Sequence, residues 1–197
     1  GPSPSSKATF THPASLLKNW NGLPDPAEAA PAVIKRYLSA YGPATPETFD
    51  AWLSRNSNKK STLRSWFASL GEQIVEVRVE GETRYLLAKH EDELAATRPS
   101  RATHLLGAFD QFVLGPGTKD THMLAHEHRP LVSKAAGWIA PVLTQGGRIT
   151  GVWEMDDGNL VVTPFPGEQA PPSQVLEDAA ARLTAVHGSV KVTPRVD

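Results

Sequence analysis

TLRSWFASLGEQIVEVRVEGETRYLL, residues 62–87, is the stretch whose reading decides the fold, because the spacing of its apolar residues changes partway through. Leu63, Trp66, Phe67 and Leu70 recur at i, i+3, i+4 and i+7, one stripe of a helix expected over Lys59 to Leu70. After Gly71 the period falls to two. Ile74, Val75, Val77 and Val79 mix with charged residues as in a strand, Glu80-Gly81-Glu82 supplies a turn, and Arg84 to Ala88 returns as a second strand. A helix feeding directly into a β-hairpin is half of a familiar pattern, so the question moves upstream.

Two shorter helical signals precede it. In PAVIKRYLSAYG, residues 31–42, Pro31 suits a first helical turn, Val33, Ile34, Tyr37, Leu38 and Tyr41 share a face, and Gly42 stops the run. In PATPETFDAWLSRN, residues 43–56, Thr45 is a good N-cap, Pro46 fits the first position and Glu47 complements the helix dipole. Three helices and a hairpin form the winged helix-turn-helix pattern, in which the third helix is the natural groove reader. Its polar face carries Lys59, Lys60, Thr62, Arg64 and Ser65. A helix fits the major groove, so Lys59, Lys60 and Arg64 are candidate contacts to phosphates or base edges, with Arg78 and Arg84 on the hairpin reaching adjacent backbone. The alternative is a solvated helix face in a domain that binds another protein.

Downstream, His90 to Arg98 reads as a helical connector, and THLLGAFDQFVLGPG, residues 103–117, as an apolar strand or pair of strands broken at Gly107. Ile139 to Thr144, Arg148 to Glu154 and Leu160 to Pro164 are strands joined by Gly146-Gly147 and Asp157-Gly158 turns. PSQVLEDAAARLTAVHG is an amphipathic helix, and SVKVTPRV closes the chain as a strand. The expected class is α+β: a winged helix followed by a small β-rich subdomain, sheet or barrel, with a C-terminal helix. Expected boundaries are 1–30 for an arm or linker, 31–89 for the winged helix and 90–197 for the β-rich part. Leu16, Leu17 and Trp20 are candidates for a short docked turn, and Gly1-Pro2-Ser3 reads as the scar of a cleaved tag on a fragment of a longer protein.

Composition narrows the function classes. With 197 residues, 40% hydrophobic and 21% charged, the chain can bury a core and is not expected to be disordered. No run reaches the roughly 18 to 20 apolar residues of a membrane span, so no membrane partner is expected and the cytoplasm is the default location. There is no cysteine, hence no disulfide or thiolate metal site. The net charge of −1 hides an asymmetry. Residues 31–89 carry nine Lys or Arg against six acids, whereas residues 90–197 carry nine against thirteen. THMLAHEHRP gathers His122, His126 and His128, but His126 and His128 cannot share a helical face and there is no HExxH order, so no metal is expected. Neither GxSxG nor a glycine-rich phosphate loop occurs, and no cofactor is expected.

The succession YLSAYGPATPETFDAWLS, LGEQIVEVRVEGETRYLL, HLLGAFDQFVLG, EHRPLV and GWIAPVLTQGGRITGVWE resembles the bacterial winged-helix DNA-binding family that includes the AlkZ/YcaQ-like DNA glycosylases. The resemblance runs from about Pro31 to Pro166. It implies tandem winged helices, a β-rich C-terminal region, a double-stranded DNA partner, excision of alkylated or crosslinked bases, and a place for this sequence as a monomeric C-terminal portion without the N-terminal winged helix. The family's glycosylases carry a Gln, hydrophobic, Gln or Asp pair in that first winged helix. Here five glutamines, at 73, 111, 145, 169 and 174, all lack Gln or Asp two residues on. The resemblance therefore implies no catalytic residue in this chain, or alternatively a DNA-binding or regulatory relative without chemistry, or a protein-interaction module on the same fold. Asp110, between Phe109 and Gln111, is read as a largely buried structural carboxylate on a strand, accepting backbone N–H bonds or pairing with His128 or Arg129.

Overall fold

A computed structural model describes residues 10–157, 159–187 and 194–196. Helix α1, Pro26–Tyr41, starts inside the stretch expected to be linker. The reason is local: Asp25 accepts the Ala27 N–H at 2.8 Å, Pro26 occupies the first turn, and Glu28 follows, so Pro31 lies in the helix interior. Leu16 and Leu17 stay exposed beside a single 3-10 turn at Pro13–Ser15, and no docked turn forms there.

Helix α2, Pro46–Ser54, begins at the cap expected from sequence; Thr45 Oγ1 accepts the Thr48 N–H, and Thr48 Oγ1 accepts that of Thr45. Helix α3 spans Lys60–Ala68, and strands β1, Ile74–Val79, and β2, Glu82–Leu87, form an antiparallel hairpin. Ile34, Tyr37 and Leu38 of α1 meet Phe49 of α2, Leu63 and Phe67 of α3, and Leu87 of β2 in one core. The rings of Tyr37, Phe49 and Phe67 pack edge to face along it, with centroids 5.4 and 5.8 Å apart.

After helix α4, Glu91–Ala96, come strand β3, Thr103–Leu106, and the short helices α5, Gln111–Leu114, and α6, Arg129–Val132. Strands β4, Val142–Gln145, β5, Arg148–Asp156, and β6, Asn159–Pro164, follow. Helix α7, Ser173–His187, leads to β7, Pro194–Val196. The five strands lie in the order β3-β4-β5-β6-β7, antiparallel except that β7 runs parallel to β6. This is an open sheet with β3 and β7 at its edges, which corrects the barrel alternative. Gly146 and Gly147 close the β4–β5 hairpin at φ 58° and 80°, the double positive φ a tight hairpin turn demands.

Strand alternation builds two cores from this one sheet. Val142, Ile149 and Phe165 face Val113, Leu124 and Val132 from α5, the loop after it and α6. Leu105, Leu143, Leu160 and Val162 face Leu176, Ala179 and Ala180 of α7.

The helical core and the sheet meet at α1 and α5. The buried Tyr37 hydroxyl donates to the Gly115 carbonyl at 3.2 Å, and the Tyr41 hydroxyl to Gln111 Oε1 at 3.3 Å. A Cβ on Gly115 would run into the Tyr41 ring. Gly115→Ala should therefore cost about 1–3 kcal/mol, seen as a lower urea midpoint; an unchanged midpoint would show that the Tyr41 contact does not hold this joint.

Candidate nucleic-acid interface

Two arrangements expose cations toward solvent, one on the first half of the chain and one where the two halves meet. The first is the turn between α2 and α3. Asp50, buried at the last full turn of α2, accepts hydrogen bonds from Ser54 Oγ at 2.5 Å, Asn58 Nδ2 at 2.6 Å and the Asn58 N–H at 3.3 Å. That carboxylate folds residues 54–58 back on themselves, and Arg55 and Asn56 take left-handed φ values of 57° and 64° to do it. The turn projects Arg55 outward and delivers the chain into α3 at Lys59.

The start of α3 breaks the usual rules for a helix N-terminus. Its N-cap, Lys59, makes no side-chain cap, its first turn has no acid, and Lys59 and Lys60 both stand there exposed. Unpaired N–H groups and two ammonium groups at the positive end of a dipole are unfavourable in isolation, by about 0.3–1 kcal/mol per misplaced charge. They are what an anion would find favourable. Arg64 is exposed one turn further on.

The second arrangement is a cleft of about 1010 Å³ between the helical half and the sheet half. Arg55 after α2 and Lys119 and Arg129 of the second half line it together with the carboxylates of Glu47, Glu82 and Asp120. Arg129 donates through Nε to Thr118 Oγ1 at 3.2 Å, which fixes its guanidinium at the wall. Arg55, Lys119 and Arg129 are cleft cations that periodicity alone does not reveal, since they come from the end of α2, a loop and the start of α6; only the break after Ser54 and the GPG turn hint at them.

Of the residues singled out from sequence, Lys59, Lys60, Arg64 and Arg78 are exposed, with Arg78 hydrogen-bonded to Thr83 Oγ1 at 2.9 Å. Arg84 is not available as a backbone contact. It is 9% exposed, donates to Asp120 Oδ2 at 3.3 Å and Glu82 Oε2 at 3.2 Å, and points at the Pro43 carbonyl. The alternation that placed Arg84 on the open face of the hairpin is right for an isolated hairpin, but the loop at 116–122 covers that face here.

His122 extends the same junction. Its Nδ1 lies 2.7 Å from Glu80 Oε2 and its Nε2 3.3 Å from Glu82 Oε2, so the hairpin tip is fastened to the second half through an imidazole. The three clustered histidines consequently part company: His122 goes to the hairpin, His126 stays exposed, and His128 is buried with its ring 4.5 Å from that of Phe165.

Asp110 differs from its expected setting. Phe109 adopts φ 58° and turns the chain out of β3, and Asp110 then caps α5, its Oδ1 accepting the Phe112 N–H at 2.8 Å. It is only half-buried and not on a strand, while of its two expected partners the structure gives the backbone N–H rather than His128 or Arg129. The reversal at Phe109 is what removes the strand on which the earlier expectation depends.

Two outcomes follow from this geometry. Asp50→Ala should destabilise the chain by about 2–3 kcal/mol, measured by thermal or urea unfolding, with the loss centred on the α2–α3 turn in hydrogen exchange. Glu82 is held below its ordinary value of 4.5, first by the His122 hydrogen bond and then by Arg84. A depressed carboxylate contributes stability above its unfolded value and loses it as pH falls through the folded one, so Glu82→Gln should lower stability near neutrality and flatten the acid limb below about pH 4.5, the two proteins converging in acid. An acid limb as steep as in the parent protein would refute that role.

A sequence profile described as DNA glycosylase AlkZ-like matches residues 3–186. An interstrand DNA cross-link repair glycosylase from Streptomyces sahachiroi is 52% identical over 197 residues, covering 100% of this chain and 53% of its own length. The solved structure of the Streptomyces sahachiroi DNA glycosylase AlkZ superposes with a TM-score of 0.95 at 52% identity, again over 100% of this chain and 53% of that one. The chain thus spans about half the length of the curated relative it matches.

Proposed function

From the premise that the chain belongs to the AlkZ-like DNA glycosylase family, we propose that it is a duplex-binding part of a DNA-repair protein, with α1 to β2 acting as a winged helix and α3 as its groove reader. The observation that carries this reading is the N-terminus of α3: no cap, no acid, and Lys59 and Lys60 set where a phosphate oxygen would complete the helix end. Arg64 and Arg78 extend that surface, and Arg55, Lys119 and Arg129 add the cleft wall behind it.

On this reading the lesion belongs to the class named in the relative, a cross-linked base in duplex DNA. The Gln, hydrophobic, Gln or Asp pair of the family's glycosylases is missing from all five glutamine positions, so this chain contributes grip and one wall of a lesion cleft, without proton transfer of its own. That same missing pair favours a second reading, a DNA-binding relative without chemistry. The partner is DNA, and the protein works as a monomer alongside a catalytic winged helix.

The test is binding and excision measured together. Duplex affinity should fall steeply with salt, and Lys60→Ala with Arg64→Ala should lower it by about tenfold near 50 mM salt and reduce the log–log salt slope by about 2. Release of a damaged base from cross-linked or alkylated duplex by the chain alone should stay at background. Absence of duplex binding at low salt would sink the proposal, and measurable base release would overturn the non-catalytic assignment while leaving the DNA partner intact.

A further inference from the structure

A second hollow, of about 500 Å³, lies between α1 and the end of β2, and Lys35, Arg36, Ser39, Gln73 and Lys89 stand around it over a floor of Leu87 and Ala88. Three of its lining side chains are cations and none is a carboxylate. Its lining shares no residue with the larger cleft and none with the basic face of α3.

The placement follows from the sequence. Ile34, Tyr37 and Leu38 turn into the core, which leaves Lys35 and Arg36 at the margin of α1, and Lys89 comes in the turn that ends the hairpin. Lys35 is half-buried, and its ammonium donates to Gln73 Oε1 at 2.9 Å. The Gln73 amide is itself oriented by donating to the Leu70 carbonyl at 3.2 Å, so the charge is positioned rather than free to swing. Among the described residues no carboxylate forms an ion pair with Lys35, Arg36 or Lys89. Arg84, by contrast, has two acids against it.

Three uncompensated cations around one concavity repel one another and focus a positive potential into it, and an anion relieves both effects. A guanidinium offers paired donors to phosphate oxygens, ammonium groups offer point charges, and the Ser39 hydroxyl offers a neutral donor. We propose that this hollow binds a phosphodiester of duplex DNA, as a backbone contact separate from α3. The inference rests on the duplex-binding reading above, which supplies the source of the phosphate. It assigns to α1 a part in holding DNA, in addition to its part in the core.

The experiment is lysine footprinting on the full chain, by brief acetylation and mass spectrometry, with and without saturating duplex. Lys35 and Lys89 should become about threefold or more less reactive with duplex bound, through direct occlusion of their ammonium groups. In parallel, Lys35→Gln, Arg36→Gln and Lys89→Gln combined should weaken duplex binding about tenfold and lower the salt slope by about 2 to 3. Lys35→Arg with Lys89→Arg should keep the parent affinity, and decides the matter where the glutamine variant does not fold. Parent binding with both lysines still reactive, or with affinity unmoved in the glutamine variant, overturns this inference alone. No duplex binding by the parent protein overturns the functional reading and this site together. Protection of the two lysines by inorganic pyrophosphate but not by duplex overturns the DNA source.

Discussion

Arg84 and Asp120 meet at 3.3 Å with 10% and 6% of their side chains exposed, and from that contact the hairpin, the 116–122 loop and the first helix take their positions. Two charges almost out of water gain their stability from geometry rather than from charge alone, because each has lost its hydration. Most of the remaining hydrogen-bonding capacity is therefore filled. Asp120 Oδ1 takes the His122 N–H at 2.9 Å, Glu82 takes the second arm of the guanidinium, and the Pro43 carbonyl lies against it. Arg84 Nε is the one donor left without a partner there. Removing either member would leave the other charge buried and unpaired, which is why this pair constrains everything it touches.

Several weaker contacts become meaningful only because that pair exists. His122 can clasp Glu80 and Glu82 because Asp120 holds its backbone beside the hairpin tip. Tyr37 can donate to Gly115, and Tyr41 can lie where a Cβ would sit, because the same loop brings α5 against α1. The larger cleft is then the space left between two halves locked at one side. Electrostatically, the lock divides the cations into two groups. Arg84 is neutralised within the architecture, whereas Lys59, Lys60, Arg64 and the cleft residues Arg55 and Lys119 keep their charge at the surface. With Arg84 and Asp50 both buried, eight basic residues and five acids of residues 31–89 remain, so the accessible face of the first half keeps its modest excess of three.

The helix-to-hairpin change at Gly71 was legible because it rests on local periodicity, and α3, β1 and β2 follow within a few residues. Thr45 was legible because capping is a three-residue affair. What sequence could not show were facts about the opposite side of a contact. Arg84 alternates correctly for exposure, and only a loop more than thirty residues away covers it. Asp110 sits in an apolar run that reads as strand, and a single left-handed residue, Phe109, sends it into a cap instead. The start of α1 lies upstream for a plainer reason: Pro31 is a good opening residue, but Asp25 and Pro26 are a better pair, and Pro31 then sits inside the helix at the cost of one N–H bond. The hollow at Lys35, Arg36 and Lys89 joins positions that only folding brings together.

The partnered carboxylates argue for a division of labour within the family's fold. A general base must reach its substrate with a lone pair to spare. Asp50 spends its oxygens on Ser54 and Asn58, and Asp120 on Arg84 and the His122 backbone. Asp110 spends one on a helix cap. Glu82 is more exposed, but two basic partners hold it ionised. Acids arranged in this way set the course of the chain and the positions of its cations. On the proposed reading, the chemistry that breaks the glycosidic bond is therefore supplied by polar groups of a neighbouring winged helix, and the contribution of this chain is the positively charged, rigidly joined surface against which the damaged duplex is held.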